Sequence, residues 1–221
     1  MIRQPIVTMM GHVDHGKTAL LDQIRGSAIA AREAGAITQA IGASIIPLDT
    51  IKKICGNLLE TLNMKFTIPG ILFIDTPGHS AFVNLRKRGG NLADIAILVV
   101  NINEGLKAQT LECIEILKQY KTPFIIAANK IDLVQGWRSS KDNIIKNIAA
   151  QQESTRNHLE MKMYDIVGEL FKLGLEADRY DRVSDYSKQI AVIPTSAKTG
   201  EGIPELLMVL AGVGITAICF E

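Results

Sequence analysis

Between Gly11 and Thr18 the chain reads Gly-His-Val-Asp-His-Gly-Lys-Thr. The apolar run Pro5 to Met10 ahead of it predicts a short buried strand. Ala19 to Ile24 behind it has the apolar spacing of a helix start. Strand, Gly-x4-Gly-Lys-Thr, helix is the context in which such a loop cradles phosphate. Gly11 and Gly16 let the backbone bend so that successive N–H groups line an anion-sized hollow. The following helix aims its positive dipole end at the same point. Lys17 supplies a charge for β- and γ-phosphate oxygens, and the Thr18 hydroxyl is a ligand for Mg²⁺. A loop that merely needs glycines is the alternative, and the flanking strand and helix weigh against it. The loop implies a nucleoside triphosphate and leaves the base open.

Composition narrows the class. The 221 residues suit one large domain or two small ones. With 47% hydrophobic and 21% charged residues, the chain has the make-up of a soluble globular protein. A net charge of +1 argues against a broad basic face for nucleic acid, and 5% aromatics argues against base-stacking platforms. Cys55, Cys113 and Cys219 are far apart and lack zinc spacing, which predicts reduced thiols. The start of the chain has no charged-then-apolar leader, and no apolar run reaches the length of a membrane span. The expectation is a soluble, cytoplasmic monomer that does not engage membrane.

Further along, Gly26 to Ile41 is rich in Ala and Gly and reads as a mobile loop. Ser44 to Leu48 predicts a strand, and Thr50 to Leu62 a helix with Thr50 as N-cap, weakened by Gly56. Ile71 to Ile74 is a buried strand that leads into Asp75-Thr76-Pro77-Gly78-His79. Ala93 to Ile102 reads as the central strand, and Ala108 to Tyr120 as a helix with Leu111, Ile114, Ile116 and Leu117 inward. Pro123 to Ala128 is a strand ending on Asn129-Lys130-Ile131-Asp132. Residues 134–188 are polar and helix-patterned, expected as a helical insertion on the surface of the main fold. Gln189 to Pro194 is a strand leading to Thr195-Ser196-Ala197-Lys198, and Pro204 to Leu210 a final helix. Residues 213–221 form an apolar tail whose neighbourhood holds two glycines, a poor helix and either a truncation point or a packing segment. The alternation predicts an α/β P-loop fold: one domain over residues 1–212, with a mostly parallel sheet and helices on both faces. Each motif falls at the carboxyl end of a strand, where ligands bind in such sheets.

The remaining motifs divide the labour. Asp75 can hold Mg²⁺ through water opposite Thr18, and Gly78 can bring a backbone N–H against a γ-phosphate. Asp132 can accept two parallel hydrogen bonds from the N1–H and 2-amino group of guanine. Adenine has no such donor pair, and a buried acceptor left unpaired costs about 1–3 kcal/mol. Lys130 can pack its stem on the ring, and Asn129 can tie this loop to the phosphate loop. Ser196, Ala197 and Lys198 close the pocket, with the Ala197 N–H offered to guanine O6. Thr38 is a candidate second Mg²⁺ ligand, and His79 stands where a side chain could orient an attacking water. His12 and His15 read as loop packing. Arg86, Lys87 and Arg88 read as a solvated helix face, with RNA phosphate as the alternative.

Taken together, GHVDHGKT and DTPGH resemble the translational GTPases. AITQAIGAS, PGILFIDTPGHSAF, NLRKRGG, LVVNINEG and NKIDLVQGW are similar to the universal initiation GTPase that joins ribosomal subunits, in its archaeal and eukaryotic form. The resemblance covers Gln4 to Leu210. It implies GTP binding and hydrolysis to GDP, slow alone and stimulated by the large ribosomal subunit. It implies that Asp14, His15, Gly16, Lys17, Thr18 and Ala19 hold the phosphates and that His79 is catalytic. It further implies that Val13 and Ile37 gate that histidine and that a monovalent cation lies near Asp14. The family continues into β-barrel domains and a domain that meets initiator tRNA, so tRNA contact is not expected of this chain. A nucleotide-dependent binding module that does not hydrolyse, a P-loop ATPase or small-molecule kinase, and other translational GTPases remain the rival readings.

Overall fold

The computed structural model describes residues 3–30, 39–40, 43–62, 68–74 and 93–219. Among these, eight strands form one sheet in the order β2-β3-β4-β1-β5-β6-β8-β7. The strands are β1 Ile6–Gly11, β2 Gln39–Ala40, β3 Ala43–Pro47, β4 Gly70–Ile74, β5 Ile95–Asn101, β6 Phe124–Asn129, β7 Ala177–Arg179 and β8 Ile190–Pro194. Pairing is parallel from β4 through β1, β5, β6 and β8 to β7, and antiparallel where β3 meets β4 and β2. Every residue of β5 is buried, as a strand covered on both faces requires.

The helices are α1 Lys17–Ala30, α2 Leu48–Cys55, α3 Ala108–Gln119, α4 Ile144–Ala150, α5 Glu153–Lys172 and α6 Ile203–Cys219, with short 3₁₀ turns at Gly56–Leu62 and Ile131–Leu133. Helix α1 runs on through Gly26 to Ala30, where a loop was expected, because Leu20, Leu21, Ile24 and Ala28 bury one continuous face. A glycine in a helix costs about 1 kcal/mol, less than burial of a single large aliphatic returns. Helix α2 begins at Leu48 with Pro47 as its cap residue, so Thr50 lies inside the helix and is not its cap. Gly56, with φ 52°, ends it, and the expected single helix becomes a helix followed by a 3₁₀ turn. In α3 the inward face is Thr110, Cys113, Ile114 and Leu117. Leu111, expected inside, is 40% exposed.

Within residues 134–188 the expected helices are present, and β7 adds a strand that a helical reading misses. Ile144, Ile148, Leu159, Met163, Ile166 and Leu170 from α4 and α5 are buried in the same apolar core as the sheet. The polar look of α5 reflects its outer face alone. Helix α6 continues through Gly212 and Gly214 to Cys219, against the expectation of a poor helix there. Its residues Leu206, Leu207, Met208, Val209, Leu210 and Ala211 are all buried, and that packing outweighs glycine's low helix propensity. Among the described residues, no helix is long and apolar enough to cross a membrane.

Candidate functional site

The parallel register sets the site. Gly11 lies beside Val99, Asn101 beside Asn129, and Ala128 beside Pro194, so β1, β5, β6 and β8 end at one edge of the sheet. The loops that follow, 11–18, 101–106, 129–134 and 195–202, therefore meet there.

In the phosphate loop Gly11 has φ 137° and Gly16 φ 92°. A Cβ on Gly11 would stand 2.3 Å from the Val99 carbonyl oxygen, and one on Gly16 would stand 2.5 Å from Asn129 Nδ2. These glycines thus serve close approach to β5 and to the base loop as well as backbone bending. Asp14 takes the left-handed conformation, φ 63°, which Asp tolerates better than most residues. Lys17 Nζ donates to the carbonyl oxygens of Gly11 at 3.0 Å and His12 at 2.7 Å, so the ammonium is drawn against the loop. Burial lowers its pKa, against smaller opposing effects of Cys113 and Asp14. Thr18 and Ala19 are exposed in the first turn of α1. Val13, at 56% exposed, projects outward while its N–H donates to Gln109 Oε1 at 3.1 Å.

His15 is 0% exposed, beneath the loop. Its Nδ1 lies 3.3 Å from the Val99 carbonyl oxygen, its ring meets His12 edge-on at 5.0 Å, and its Nε2 is 3.8 Å from Glu104 Oε2. Burial is the largest cause of its lowered pKa. The side chain packs the loop from below, and only its backbone can face a phosphate.

Asn129, 1% exposed, is the joint of the site. Its Nδ2 donates to the His15 carbonyl at 2.9 Å and its Oδ1 accepts the Ala197 N–H at 3.0 Å. One side chain therefore fastens phosphate loop, base loop and the 195–202 loop together. Asp132 Oδ1 accepts from Ser196 Oγ at 2.6 Å, which orients the carboxylate. Ser196 Oγ accepts the Thr199 N–H at 3.2 Å, and the Ile131 N–H donates to Thr195 O at 3.2 Å. Lys130 stands at the turn between Asn129 and Asp132 with φ 68°. Lys198 is exposed at the rim.

The structure thus brings together Asp14 through Ala19, Asn129, Lys130, Asp132, Ser196 and Ala197. One detail differs from expectation. The Ala197 N–H, expected to face guanine O6, is directed at Asn129 Oδ1, so a base oxygen would have to share or displace that bond. Ile37, Thr38, Asp75, Gly78 and His79 lie outside the described residues.

The residues suit an anion and a hard cation. Among the described residues, the buried side-chain atoms without a hydrogen-bond partner are His12 Nδ1, His15 Nε2, Thr110 Oγ1 and Thr195 Oγ1. All four belong to the loops of this edge or to the first turn of α3 beside Gln109. A hydroxyl oxygen at a helix start beside a lysine matches the oxygen preference of Mg²⁺. Sequence reasoning missed Gln109 under Val13 and the loop 101–106 behind the base loop. Their signal was position, because that loop follows a central strand as every other site loop does.

The model of the elongation factor Tu GTP binding domain matches residues 3–213. The translation initiation factor IF-2 described as probable in Methanopyrus kandleri is 58% identical over 213 residues, covering 96% of this chain and 36% of that protein. The corresponding factor of Ignicoccus hospitalis is 56% identical over 214 residues, covering 96% and 35%. The crystal structure of GDP-bound aIF5B from Aeropyrum pernix superposes with TM-score 0.93 at 55% identity, over 98% of this chain and 36% of that one. The elongation factor SelB of Methanococcus maripaludis, at 22% identity and TM-score 0.53, shares the fold. The chain spans little more than a third of the length of these initiation-factor relatives. Motif order, loop geometry and these matches agree: the chain belongs to the elongation factor Tu GTP binding domain family, and its initiation-factor relatives are archaeal.

Proposed function

We propose that this chain is the GTP-binding and GTP-hydrolysing switch of a translation initiation factor that acts when ribosomal subunits join. The observation that carries the reading is the Asn129 bridge, which fixes Asp132 and the phosphate loop in one frame. Guanine recognition falls to Asp132, whose free lone pairs accept the N1–H and 2-amino donors, with the Lys130 stem against the ring. Backbone N–H groups from Asp14 to Ala19 receive the phosphates, and Lys17 turns its remaining N–H toward them. A lysine whose pKa burial lowers regains its charge preference when phosphate arrives, which ties Lys17 to the anion.

Mg²⁺, when bound, supplies charge for the β- and γ-phosphate oxygens, held by the hydroxyls of Thr18 and Thr38 and through water by Asp75. Asp14, exposed, is the proposed neighbour of a monovalent cation. Gly78 contributes a backbone N–H at the γ-phosphate. His79 orients the water, and Val13 with Ile37 shields that histidine until the large ribosomal subunit is engaged. The exposure of Val13 supports its place in such a gate. The chain works in the cytoplasm as a monomer, and initiator tRNA is met only by domains outside this sequence.

The test is GTP turnover measured side by side with and without large ribosomal subunits. Slow turnover alone and a rise with subunits support the reading. Equal turnover in both arms contradicts it.

A further inference from the structure

Lys130 holds the one left-handed turn in the base loop, at φ 68° and ψ 36°, with no side chain capping the 3₁₀ turn that follows. Lysine gains nothing from this conformation, whereas Gly or Asn tolerates it. A turn of this kind persists only where its surroundings over-determine it. The next residues carry Asp132, so the turn also aims the carboxylate that would read the base.

The surroundings come from the loop after β5. The Ile102 N–H donates to Asn129 O at 3.0 Å, and Asn103 Nδ2 donates to Lys130 O at 3.4 Å. Lys130 O also accepts the Leu133 N–H at 3.1 Å, so both bonds converge on the carbonyl of the left-handed residue. Asn103 is itself held. Its N–H donates to Asn101 Oδ1 at 3.0 Å, and the Asn101 carbonyl accepts the N–H groups of Glu104 and Gly105, each at 3.0 Å. Asn101 Nδ2 donates to Glu104 Oε1, and Asn101 is buried at the end of β5. On the far side the Leu106 N–H donates to Glu169 Oε2 at 3.1 Å, anchoring the loop to α5. Asn103 is thus an exposed side chain on a rigid loop, pointing its amide at the turn that needs support.

We infer that Asn103 is a positioning residue for guanine recognition: it touches no nucleotide, but by holding the Lys130 carbonyl it sets the left-handed turn that places Asp132. The inference rests on the guanine-reading role proposed for Asp132. It predicts a loss of base discrimination without a loss of fold. Inosine diphosphate lacks the 2-amino group, so the ratio of its Kd to that of GDP reads the Asp132 contact directly.

The experiment measures Kd for GDP and IDP with the wild-type chain, Asn103→Ala and Asn103→Asp, together with the Tm of each. The wild type is expected to prefer GDP by about 10-fold or more. Both variants should lose most of that preference, with IDP affinity nearly unchanged and Tm unchanged. In a Lys130→Asn background, where the turn is tolerated, Asn103→Ala should change the ratio little further. A wild-type ratio retained in both variants overturns the inference. So does a parallel loss of GDP and IDP binding accompanied by a fall in Tm, which would mark Asn103 as merely structural. A wild type that binds GDP and IDP equally would instead remove the base-reading role of Asp132, and this inference with it.

Discussion

In the segment 134–188, Arg179 is 8% exposed, yet its guanidinium is closed by Asp181, at 2.9 Å from Nη2, and by Glu160. Glu160 also takes Arg182, at 2.8 Å. Burial alone would raise the Asp181 carboxyl, but the Arg179 hydrogen bonds and charge outweigh it and hold the group below its usual range. From the far end of the 195–202 loop, the buried Glu201 closes on the same segment, gathering the Trp137 indole N–H at 3.3 Å, the Ser140 N–H at 3.2 Å and the Asn147 amide. Around the phosphate loop and the base loop the pattern reverses. Among the described residues, the buried side-chain atoms without a hydrogen-bond partner, His12 Nδ1, His15 Nε2, Thr110 Oγ1 and Thr195 Oγ1, lie in and around the nucleotide loops. Two of the three non-glycine positions with positive φ among the described residues, Asp14 and Lys130, lie there too. One region closes its polar groups on one another and stabilises the fold. The other leaves buried polar atoms unpaired and concentrates backbone strain around the loops where a ligand would bind.

That contrast can be broken by substitution. The largest effect is expected from Lys17→Ala. Removing a charged donor to phosphate should weaken GDP binding by about 100-fold, with the circular dichroism spectrum retained. Near-normal affinity by titration calorimetry would mean that the lysine serves only the loop's own carbonyls. Asp132→Asn should follow, with GDP affinity falling about 10- to 100-fold and xanthosine diphosphate gaining, because the xanthine 2-oxo group accepts where guanine donates. Competition binding in which the variant still strongly prefers GDP would contradict that role.

A pair of glycines sharpens the same comparison in stability. At Gly16 an added Cβ meets Asn129 Nδ2 at 2.5 Å, and φ is 92°, while at Gly168 in α5 the added Cβ meets nothing. Asn129 is held at both ends and cannot withdraw, so Gly16→Ala should destabilise by about 1–3 kcal/mol. Gly168→Ala should stabilise by about 0.5–1 kcal/mol through helix propensity. Chemical denaturation measures both, and equal shifts would dissolve the distinction between the regions.

The smallest effect is expected at Glu205, the buried carboxylate that accepts the Ile144 N–H at 2.9 Å. Burial raises its pKa above the ordinary carboxylate value. A folded pKa above the unfolded one means its contribution is fully present at low pH and is lost as pH rises through the folded value. Glu205→Gln keeps an acceptor for Ile144 and cannot ionise. Its Tm relative to wild type should therefore improve as pH rises from about 4.5 toward neutrality. A difference independent of pH would show that folding leaves the pKa of Glu205 where it is in the unfolded chain.

Much of the site was legible because its chemistry is local in the chain. Gly11 to Thr18 and Asn129 to Asp132 each carry their own residue pattern and follow an apolar strand. The parallel sheet then brings them to one edge without further information. What escaped depends on contacts between distant segments. That Asn129 would take the Ala197 N–H, that Ser196 would orient Asp132, and that Asn103 would hold Lys130 are facts of packing between loops up to 68 residues apart. Helix ends escaped for a related reason. Gly26, Gly212 and Gly214 look like breakers in isolation, and burial of their neighbours carries α1 and α6 past them. The exposed Leu111 and buried Thr110 of α3 show the same limit, since residue type does not say which face meets β1 and the phosphate loop.

The central claim is that the loops at this edge form one guanine-nucleotide site. Displacement of a fluorescent GDP analogue from the chain, with Mg²⁺ present, by unlabelled GDP and by ADP tests it most directly. The account predicts that GDP displaces the analogue at stoichiometric concentrations and that ADP fails to do so at about 100-fold excess, since Asp132 has no donor pair to accept from adenine. Displacement by ADP at the same concentrations as GDP would contradict it.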